Sequence, residues 1–309
     1  MTGMEAALAD YLRLRRSLGH KLQTEGRHLA RLVTYLDDVG EDTVTIGTTL
    51  RFVFDPDLDP ASNVPAKRLT AVRGFARYLA GTNPRTEIPP AGLVCYRHRR
   101  RTPYLFSDED LAALIRCARA ATPFPFRADT LATVIGLLAV TGMRVGEALR
   151  LDRRDVDWDD AVILVRDTKF HKDRNLPVSL STIAALRAYK RRRDRRRPAP
   201  ATTRLFVSLS GTPVVYSNFA ATFRAAVRAS GIGAGSPTRL RIHDLRHGFA
   251  VRTLLGWYRA GLDVEALLPR LATYLGHREP RFTYTYLTAT PELLAQAAAR
   301  LEGAQAVRR

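Results

Sequence analysis

Arginines and histidines in the second half of the chain are spaced so that they could act together on one phosphodiester. Arg144 follows a tight turn in "TGMRVGEAL", and His243 and Arg246 lie three residues apart, on one face of a predicted helix. Two guanidiniums can hold a phosphate bidentately and stay charged, and imidazole can donate or carry a proton near neutral pH. Each residue alone is also typical of an ordinary surface position. Together they predict a cationic clamp for a phosphate.

Two lysines and two tyrosines could supply the steps that break and form bonds. Lys169 and Lys172 lie in a predicted hairpin turn, where an amine could protonate a departing alkoxide. The stretch "HREPRFTYTY" (277–286) ends in Tyr284 and Tyr286, and a tyrosine can attack phosphorus and hold a strand covalently. Residues two apart on a helix point roughly 200° away from each other, so the two tyrosines cannot serve the same phosphate. The helical faces leave open which of them faces inward.

The sequence offers little to a metal ion or a disulfide. In "HDLRH" (243–247) an arginine separates the two histidines, and no carboxylate cluster accompanies them. Cys95 and Cys117 are the only cysteines, and neither has a CxxC partner, so a reduced, cytoplasmic setting is expected. Fixed cations can stabilise a pentavalent transition state without a metal. We therefore predict that the protein needs no cofactor.

The order Arg, Lys, His-x-x-Arg, His, Tyr resembles the tyrosine recombinase family, which includes phage integrases and Xer-like enzymes. The similarity extends over residues 103–302, and "TKFHKDRNLPV" is similar to the family's K-x-x-K-x-R-x-x-P pattern. In the family the nucleophile usually lies nine residues after the histidine of "LGH", which selects Tyr286 rather than Tyr284 here. The resemblance thus implies catalytic roles for Arg144, Lys169, His243, Arg246, His277 and Tyr286.

The resemblance also implies a fold, a reaction and partners. The fold is mainly α with a small antiparallel β-sheet, in two domains that form a C-shaped clamp around duplex DNA. The reaction is cleavage and rejoining of DNA at a specific recombination site through a 3′-phosphotyrosyl bond, without metal or ATP. Implied partners are a homotetramer on DNA and an accessory recombinase or DNA-bending protein. A type IB-like topoisomerase and a non-catalytic DNA-binding regulator are the alternatives.

One departure from compact Xer-type enzymes lies between the last two boxes. From Arg246 to His277 there are 31 positions, and the added segment contains "GWYRAGLDVEALLPRLATY". This length is reminiscent of integrases carried by transposons and insertion elements. It leaves the order of the boxes intact.

Composition points independently to a polyanionic partner. The chain of 309 residues is 46% apolar, enough to bury sizeable cores, and carries a formal charge of +19. A solvated monomer needs no such excess of cations, so nucleic acid is the favoured partner. The most apolar stretch, "LATVIGLLAV" (131–140), is half the length of a membrane span and predicts a buried helix.

The apolar pattern divides the chain into three parts. Residues 1–82 show helical periodicity and resemble the family's core DNA-binding domain, residues 83–102 form a basic interdomain linker, and residues 103–309 form the catalytic domain. Basic residues of these parts, and a histidine beside the catalytic ones, are candidates for DNA contact: Lys67, Arg68, Arg97, Arg99, Arg100, Arg101, Lys172, Arg174 and His247.

Within the catalytic domain we predict elements from caps and apolar runs. Ser107 with Asp110 predicts a capped helix start, residues 161–180 predict a β-hairpin, and "RLFVS" (204–208) predicts a short strand. A terminal helix at 291–302 carries an apolar stripe. The stripe either packs on its own domain or, as the resemblance implies, is exchanged with a neighbouring subunit.

Overall fold

The protein is mainly helical with one small antiparallel sheet, as the sequence predicts. A computed structural model describes residues 3–59, 62–96, 102–166, 173–236, 239–277, 279, 281–287, 293 and 295. Contacts between residues divide the chain into two compact units, residues 1–100 and 101–309.

The first unit is a bundle of helices. Its described helices are α1 (Gly3–Ser17), α2 (Gln23–Asp38), α3 (Ile46–Val53) and α4 (Val64–Leu79). Apolar residues recur every three or four positions along these segments, so each helix buries one stripe in a shared core. The largest of these side chains that are fully buried are Leu29, Leu32, Leu36 and Phe75.

The segment 83–96, predicted as the start of a linker, instead packs on the first unit. Glu87 donates its backbone N–H to the carbonyl of Val44 at 2.9 Å, and the Arg73 guanidinium donates to the Pro89 carbonyl at 2.7 Å. Proline-rich chain has few backbone donors, so such a segment can lie along a bundle wherever side chains satisfy its carbonyls. The basic run at 97–101 lies outside the described residues.

The second unit surrounds two neighbouring apolar clusters. Its described elements are α5 (Asp108–Ala120), α6 (Pro125–Thr141), α7 (Val145–Arg150), β1 (Val156–Asp157), β2 (Val162–Val165), β3 (Arg174–Pro177), α8 (Leu180–Arg196), α9 (Tyr216–Ser230), α10 (Ile242–Arg259), α11 (Val264–Leu275) and α12 (Arg281–Tyr284).

The beginning of this unit follows its sequence signals closely. Ser107 accepts from the backbone N–H of Asp110 at 3.1 Å, and the Asp110 carboxylate accepts from that of Ser107 at 3.1 Å, which confirms the capping box. Helix α6 is buried on nearly every side, as its continuous apolar run predicts. None of the described helices is long and apolar enough to cross a membrane.

The sheet has the strand order β1-β2-β3 and is antiparallel throughout. Strands β2 and β3 pair with Val162 opposite Pro177 and Val165 opposite Arg174, so the predicted hairpin is present. The turn between them, residues 167–172, lies outside the described residues. The predicted strand at 204–208 is wrong, because Arg204 and Val207 make only isolated bridges.

Helices α10 and α11 pack together in the second apolar cluster, which also contains residues near the carboxyl end of the described chain. Leu254, Leu268 and Leu275 lie at its centre, with Tyr286 and Leu293 buried against them. Most of the predicted terminal helix 291–302 lies outside the described residues. Leu293 nevertheless packs on its own chain in this single copy.

Candidate active site

The turn at the end of helix α6 positions Arg144. That helix stops at Gly142, whose φ of 60° reverses the chain, and α7 begins directly after Arg144. A larger residue would not fit at Gly142, because a Cβ there would overlap the ring of Phe249. After this sharp turn the Arg144 side chain is about one-third exposed.

Helix α10 contributes one buried arginine between two histidines. Arg246 is 2% exposed, whereas His243 is exposed and His247 is half-buried. The two imidazole rings are perpendicular, with centroids 4.8 Å apart. Their spacing of four residues places them on the same face of the helix.

Three consecutive carbonyls at the carboxyl end of α11 hold three arginines. Arg174 donates to Tyr274 O at 2.9 Å, Arg246 to Leu275 O at 2.8 Å and Arg144 to Gly276 O at 3.1 Å. The last carbonyls of a helix lack intrahelical partners and carry the negative end of its dipole, so they favour cations. Helix α11 thus organises the guanidiniums before any anion binds.

Arg246 is also tied to the turn at the end of α6. Its Nη1 donates to the carbonyl oxygen of Gly142 at 2.8 Å. Burial lowers the pKa of Arg246 to about 10, although nearby Tyr286 acts in the opposite direction. The guanidinium therefore remains charged at neutral pH.

A buried glutamate that the sequence analysis missed joins two of the arginines. Glu147 accepts from Arg144 Nη1 at 2.8 Å and from Arg174 Nη2 at 2.7 Å. Burial opposes ionisation, but the bonds from Arg174 and Arg144 outweigh it and lower the pKa of Glu147 to about 2. Its signal in the sequence is the position three residues after Arg144, where a carboxylate can cap the helix; indeed it accepts the Arg144 N–H at 3.0 Å.

The structure distinguishes the two tyrosines clearly. Tyr286 is 4% exposed and its ring lies 5.3 Å from that of His247 and 5.9 Å from that of His277. Tyr284 is 45% exposed. Helix α12 ends at Tyr284, and the chain continues in a turn in which Tyr286 N donates to Thr283 O at 3.0 Å. Only Tyr286 lies among the clustered histidines and arginines.

The histidines lie in an environment that disfavours protonation. Burial, with the charges of Arg246 and Arg144, lowers the pKa of His277 to about 4. His243 is exposed on one side, yet the protein packed around it still lowers its pKa by desolvation, and the neighbouring His247 and Arg246 add to the effect. Both rings are therefore neutral at pH 7, and each keeps one N–H that can donate a hydrogen bond to an anion.

Two of the residues predicted to contact DNA have guanidiniums that are bound within the protein. The Arg68 guanidinium is buried, donates to the carbonyl of Phe52 at 2.6 Å and pairs with Asp55 at 3.2 Å. Arg174 is 9% exposed at its side chain and is held by Glu147. Both guanidiniums are bound by acceptors of the protein itself, as those of Arg144 and Arg246 are, so a contact with phosphate would be additional to these bonds and stays a prediction.

The other predicted residues divide between described and undescribed parts. Lys67 is exposed on α4, as DNA contact requires, and His247 lies between His243 and Tyr286. The remaining candidates fall outside the described residues: Arg97, Arg99, Arg100, Arg101, Lys169 and Lys172. Among the residues that are described, no three histidines, cysteines or carboxylates cluster as a metal site would.

The arrangement as a whole suits attack on a phosphodiester. The two anchored arginines, Arg144 and Arg246, present positive charge beside a buried phenol, and neutral imidazoles adjoin both. Preorganised donors of this kind stabilise charge that develops on phosphate oxygens in a transition state.

Comparison with known proteins agrees with this chemistry. Residues 106–292 match the Phage integrase family. The chain is 41% identical over 308 residues to "Putative integrase/recombinase y4rB" of Sinorhizobium fredii, covering 98% of both chains. It is 30% identical over 315 residues to tyrosine recombinase XerD of Mycobacterium leprae, covering 93% of this chain and 92% of the relative. The fold is similar to that of the Tn1549 transposon integrase in complex with transposon right end DNA, with a TM-score of 0.66, 17% identity and coverage of 98% and 99%.

Proposed function

Because the chain belongs to the phage integrase family of tyrosine recombinases, we propose that it is a site-specific recombinase that cleaves and rejoins DNA through a 3′-phosphotyrosyl intermediate. One observation carries the proposal. Tyr286 faces inward onto the arginines and histidines, whereas Tyr284, two residues away, is exposed.

In the proposed first step, the Tyr286 hydroxyl attacks the phosphorus of one strand. A bond forms between the phenolic oxygen and phosphorus, the bond to the 5′ oxygen breaks, and the phenolic proton passes to the imidazole of His247, whose ring centroid lies 5.3 Å from that of Tyr286. Arg144 and Arg246 stabilise the two non-bridging oxygens, because both guanidiniums are already fixed on carbonyls of α11 and need little reorganisation. His243 and His277 donate further hydrogen bonds to these oxygens.

The leaving 5′ oxygen needs a proton, and Lys169 is the proposed donor. This assignment rests on the resemblance of "TKFHKDRNLPV" to the family's hairpin pattern, since Lys169 lies outside the described residues. In the second step the 5′-hydroxyl of a partner strand attacks the phosphorus, and the bond to Tyr286 breaks. The phosphotyrosyl ester conserves the energy of the original phosphodiester bond, so no nucleotide cofactor is required.

The proposed substrate is duplex DNA at a specific recombination site. The charge of +19 supports binding to the backbone, with exposed Lys67 as one contact on the first unit. The segment 291–302 is proposed to join neighbouring subunits into a tetramer on DNA, by resemblance to the family. Leu293 packs on its own chain in the single copy, so exchange would require that contact to be replaced by an equivalent one.

The proposal is tested with nicked suicide substrates made from the DNA that flanks the gene. The nick lets the cleaved end diffuse away, so the intermediate accumulates. We expect a covalent protein–DNA complex on a denaturing gel, formed in EDTA, that leaves a free 5′-hydroxyl. A strict requirement for Mg²⁺ contradicts the mechanism. Relaxation of plasmids without such sites favours a topoisomerase, and binding without a covalent complex favours a regulator.

A further inference from the structure

A buried hydroxyl contacts the histidine that lies beside the tyrosine. Thr283 Oγ1 lies 2.8 Å from His277 Nδ1, and Thr283 is 0% exposed. We propose that Thr283 is a positioning residue that fixes His277 in the tautomer with its proton on Nε2. The consequence for cleavage rests on the proposed function, whereas the tautomer itself does not.

The direction of this hydrogen bond follows from the surroundings of the hydroxyl. Within the described part of the chain, Thr283 Oγ1 has no hydrogen-bond partner other than His277 Nδ1. Water does not reach a residue that is fully buried, and a buried hydroxyl hydrogen left without an acceptor costs free energy. The Thr283 hydroxyl therefore donates, and Nδ1 accepts.

The charge of the ring completes the assignment. Burial disfavours the protonated form of His277, and the positive charges of Arg246 and Arg144 add to the effect. A neutral imidazole carries one hydrogen, so an accepting Nδ1 leaves that hydrogen on Nε2. Nε2 lies on the opposite side of the ring from Thr283. It becomes a fixed donor available to a phosphate oxygen.

Thr283 also ties the histidine to the tyrosine through its backbone. Its carbonyl accepts from the Tyr286 N–H at 3.0 Å, in the turn that brings the tyrosine inward. The rings of His277 and Tyr286 are nearly parallel, with an angle of 19° between their planes. One residue thus fixes both the ring orientation of the histidine and the backbone position of the nucleophile, and small misplacements of reacting groups are costly to rate.

The test compares Thr283→Val, which lacks the hydroxyl, with Thr283→Ser, which keeps it. Histidine ¹⁵N–¹H correlation spectra of the free protein report which nitrogen of His277 carries hydrogen, and loss of one signal set in His277→Asn assigns them. We expect the Nε2–H tautomer in the natural protein and in Thr283→Ser, and a mixture of tautomers in Thr283→Val. Single-turnover formation of the covalent complex should slow about tenfold in Thr283→Val, which corresponds to about 1.4 kcal/mol, and recover in Thr283→Ser.

Thr285→Val is the matched control, because Thr285 is exposed and its hydroxyl donates to the Phe282 carbonyl at 2.8 Å. This variant should leave the tautomer and the rate unchanged, and DNA affinity should be the same in all variants. The Nδ1–H tautomer in the natural protein overturns the proposal, as does an unchanged tautomer in Thr283→Val. Equal slowing in Thr283→Ser and Thr283→Val also overturns it. Failure of the natural protein to form any covalent complex would instead refute the proposed function, since the spectra do not depend on cleavage.

Discussion

Replacing Gly276 by alanine should damage the site through the arginines rather than through the helix. Gly276 ends α11 with a φ of 70°, and its carbonyl accepts from Arg144. A Cβ at this position would lie 2.8 Å from Arg174 Nη1 and 3.0 Å from Arg174 Cζ. The Arg174 side chain cannot move into solvent, because it is buried between Glu147 and the Tyr274 carbonyl.

The expected loss has two parts. A left-handed conformation costs a residue with a Cβ roughly 1–2 kcal/mol. Displacing Arg174 from one of its buried acceptors adds about 1–3 kcal/mol, because a buried polar group is left without its partner. We therefore expect the free energy of unfolding of the second unit to fall by about 2–5 kcal/mol. Any shift of the Gly276 carbonyl also moves Arg144, and a misplacement of about 1 Å can slow chemistry about 10²-fold.

Gly231→Ala is the matched control. Gly231 ends α9 with a φ of 66°, and a Cβ there would meet nothing within 4 Å. Chemical denaturation and single-turnover formation of the covalent complex, at a temperature where both variants are folded, separate the two effects. Gly231→Ala should lower the free energy of unfolding only by the roughly 1–2 kcal/mol cost of a left-handed backbone conformation, and its rate of complex formation should not change. Equal losses of stability in the two variants, with equal rates, would refute the claim that Gly276 leaves room for Arg174.

Two further substitutions and one truncation test other parts of the mechanism and the fold. Glu147→Gln should lower the free energy of unfolding by about 3 kcal/mol at pH 7, since the pKa of Glu147 is lowered from 4.5 to about 2. That difference should shrink as the pH falls from 4.5 towards 2, and a difference that is constant down to pH 3 in denaturation curves would contradict it. Lys169→Ala should slow cleavage of an ordinary phosphodiester far more than that of a 5′-thio substrate, whose leaving group needs no proton; equal slowing would point to Lys172. Truncation after Thr290 should abolish the DNA-bound tetramer in native gels and leave the monomer folded, whereas an unstable monomer that still assembles would show that the segment packs on its own chain.

The sequence predicts the helices well, but it does not predict which cations are buried. Arg68 follows Lys67 in a basic pair on α4, yet its side chain is buried and donates to the carbonyl of Phe52 at the end of α3. The sequence pattern does not predict helix α3 separately, so it gives no sign that the last carbonyls of that helix need a donor. Arg174 belongs to a basic hairpin pattern, and its partners Glu147 and Tyr274 are 27 and 100 positions away in the chain.

The residue types of the candidate site can be predicted from the sequence, but the groups of the protein that hold those residues in place cannot. Arg144, Arg246 and the histidines follow from their types and order, because phosphate chemistry needs those groups. The carbonyls of residues 274–276 could not be predicted, since every residue has a carbonyl and only the fold decides which ones lie free at a helix end. The inward position of Tyr286 likewise depends on where α12 ends, and helix ends are poorly determined by sequence.

The central claim is that Tyr286 is the nucleophile, and a pair of conservative variants tests it most directly. Tyr286→Phe and Tyr284→Phe each remove one phenolic oxygen, one of them buried beside His277 and the other exposed. Incubated with a suicide substrate and run on a denaturing gel, Tyr284→Phe should form the covalent protein–DNA complex. Tyr286→Phe should bind the same DNA in a native gel and form none. A covalent complex that persists in Tyr286→Phe and is lost in Tyr284→Phe would contradict the account.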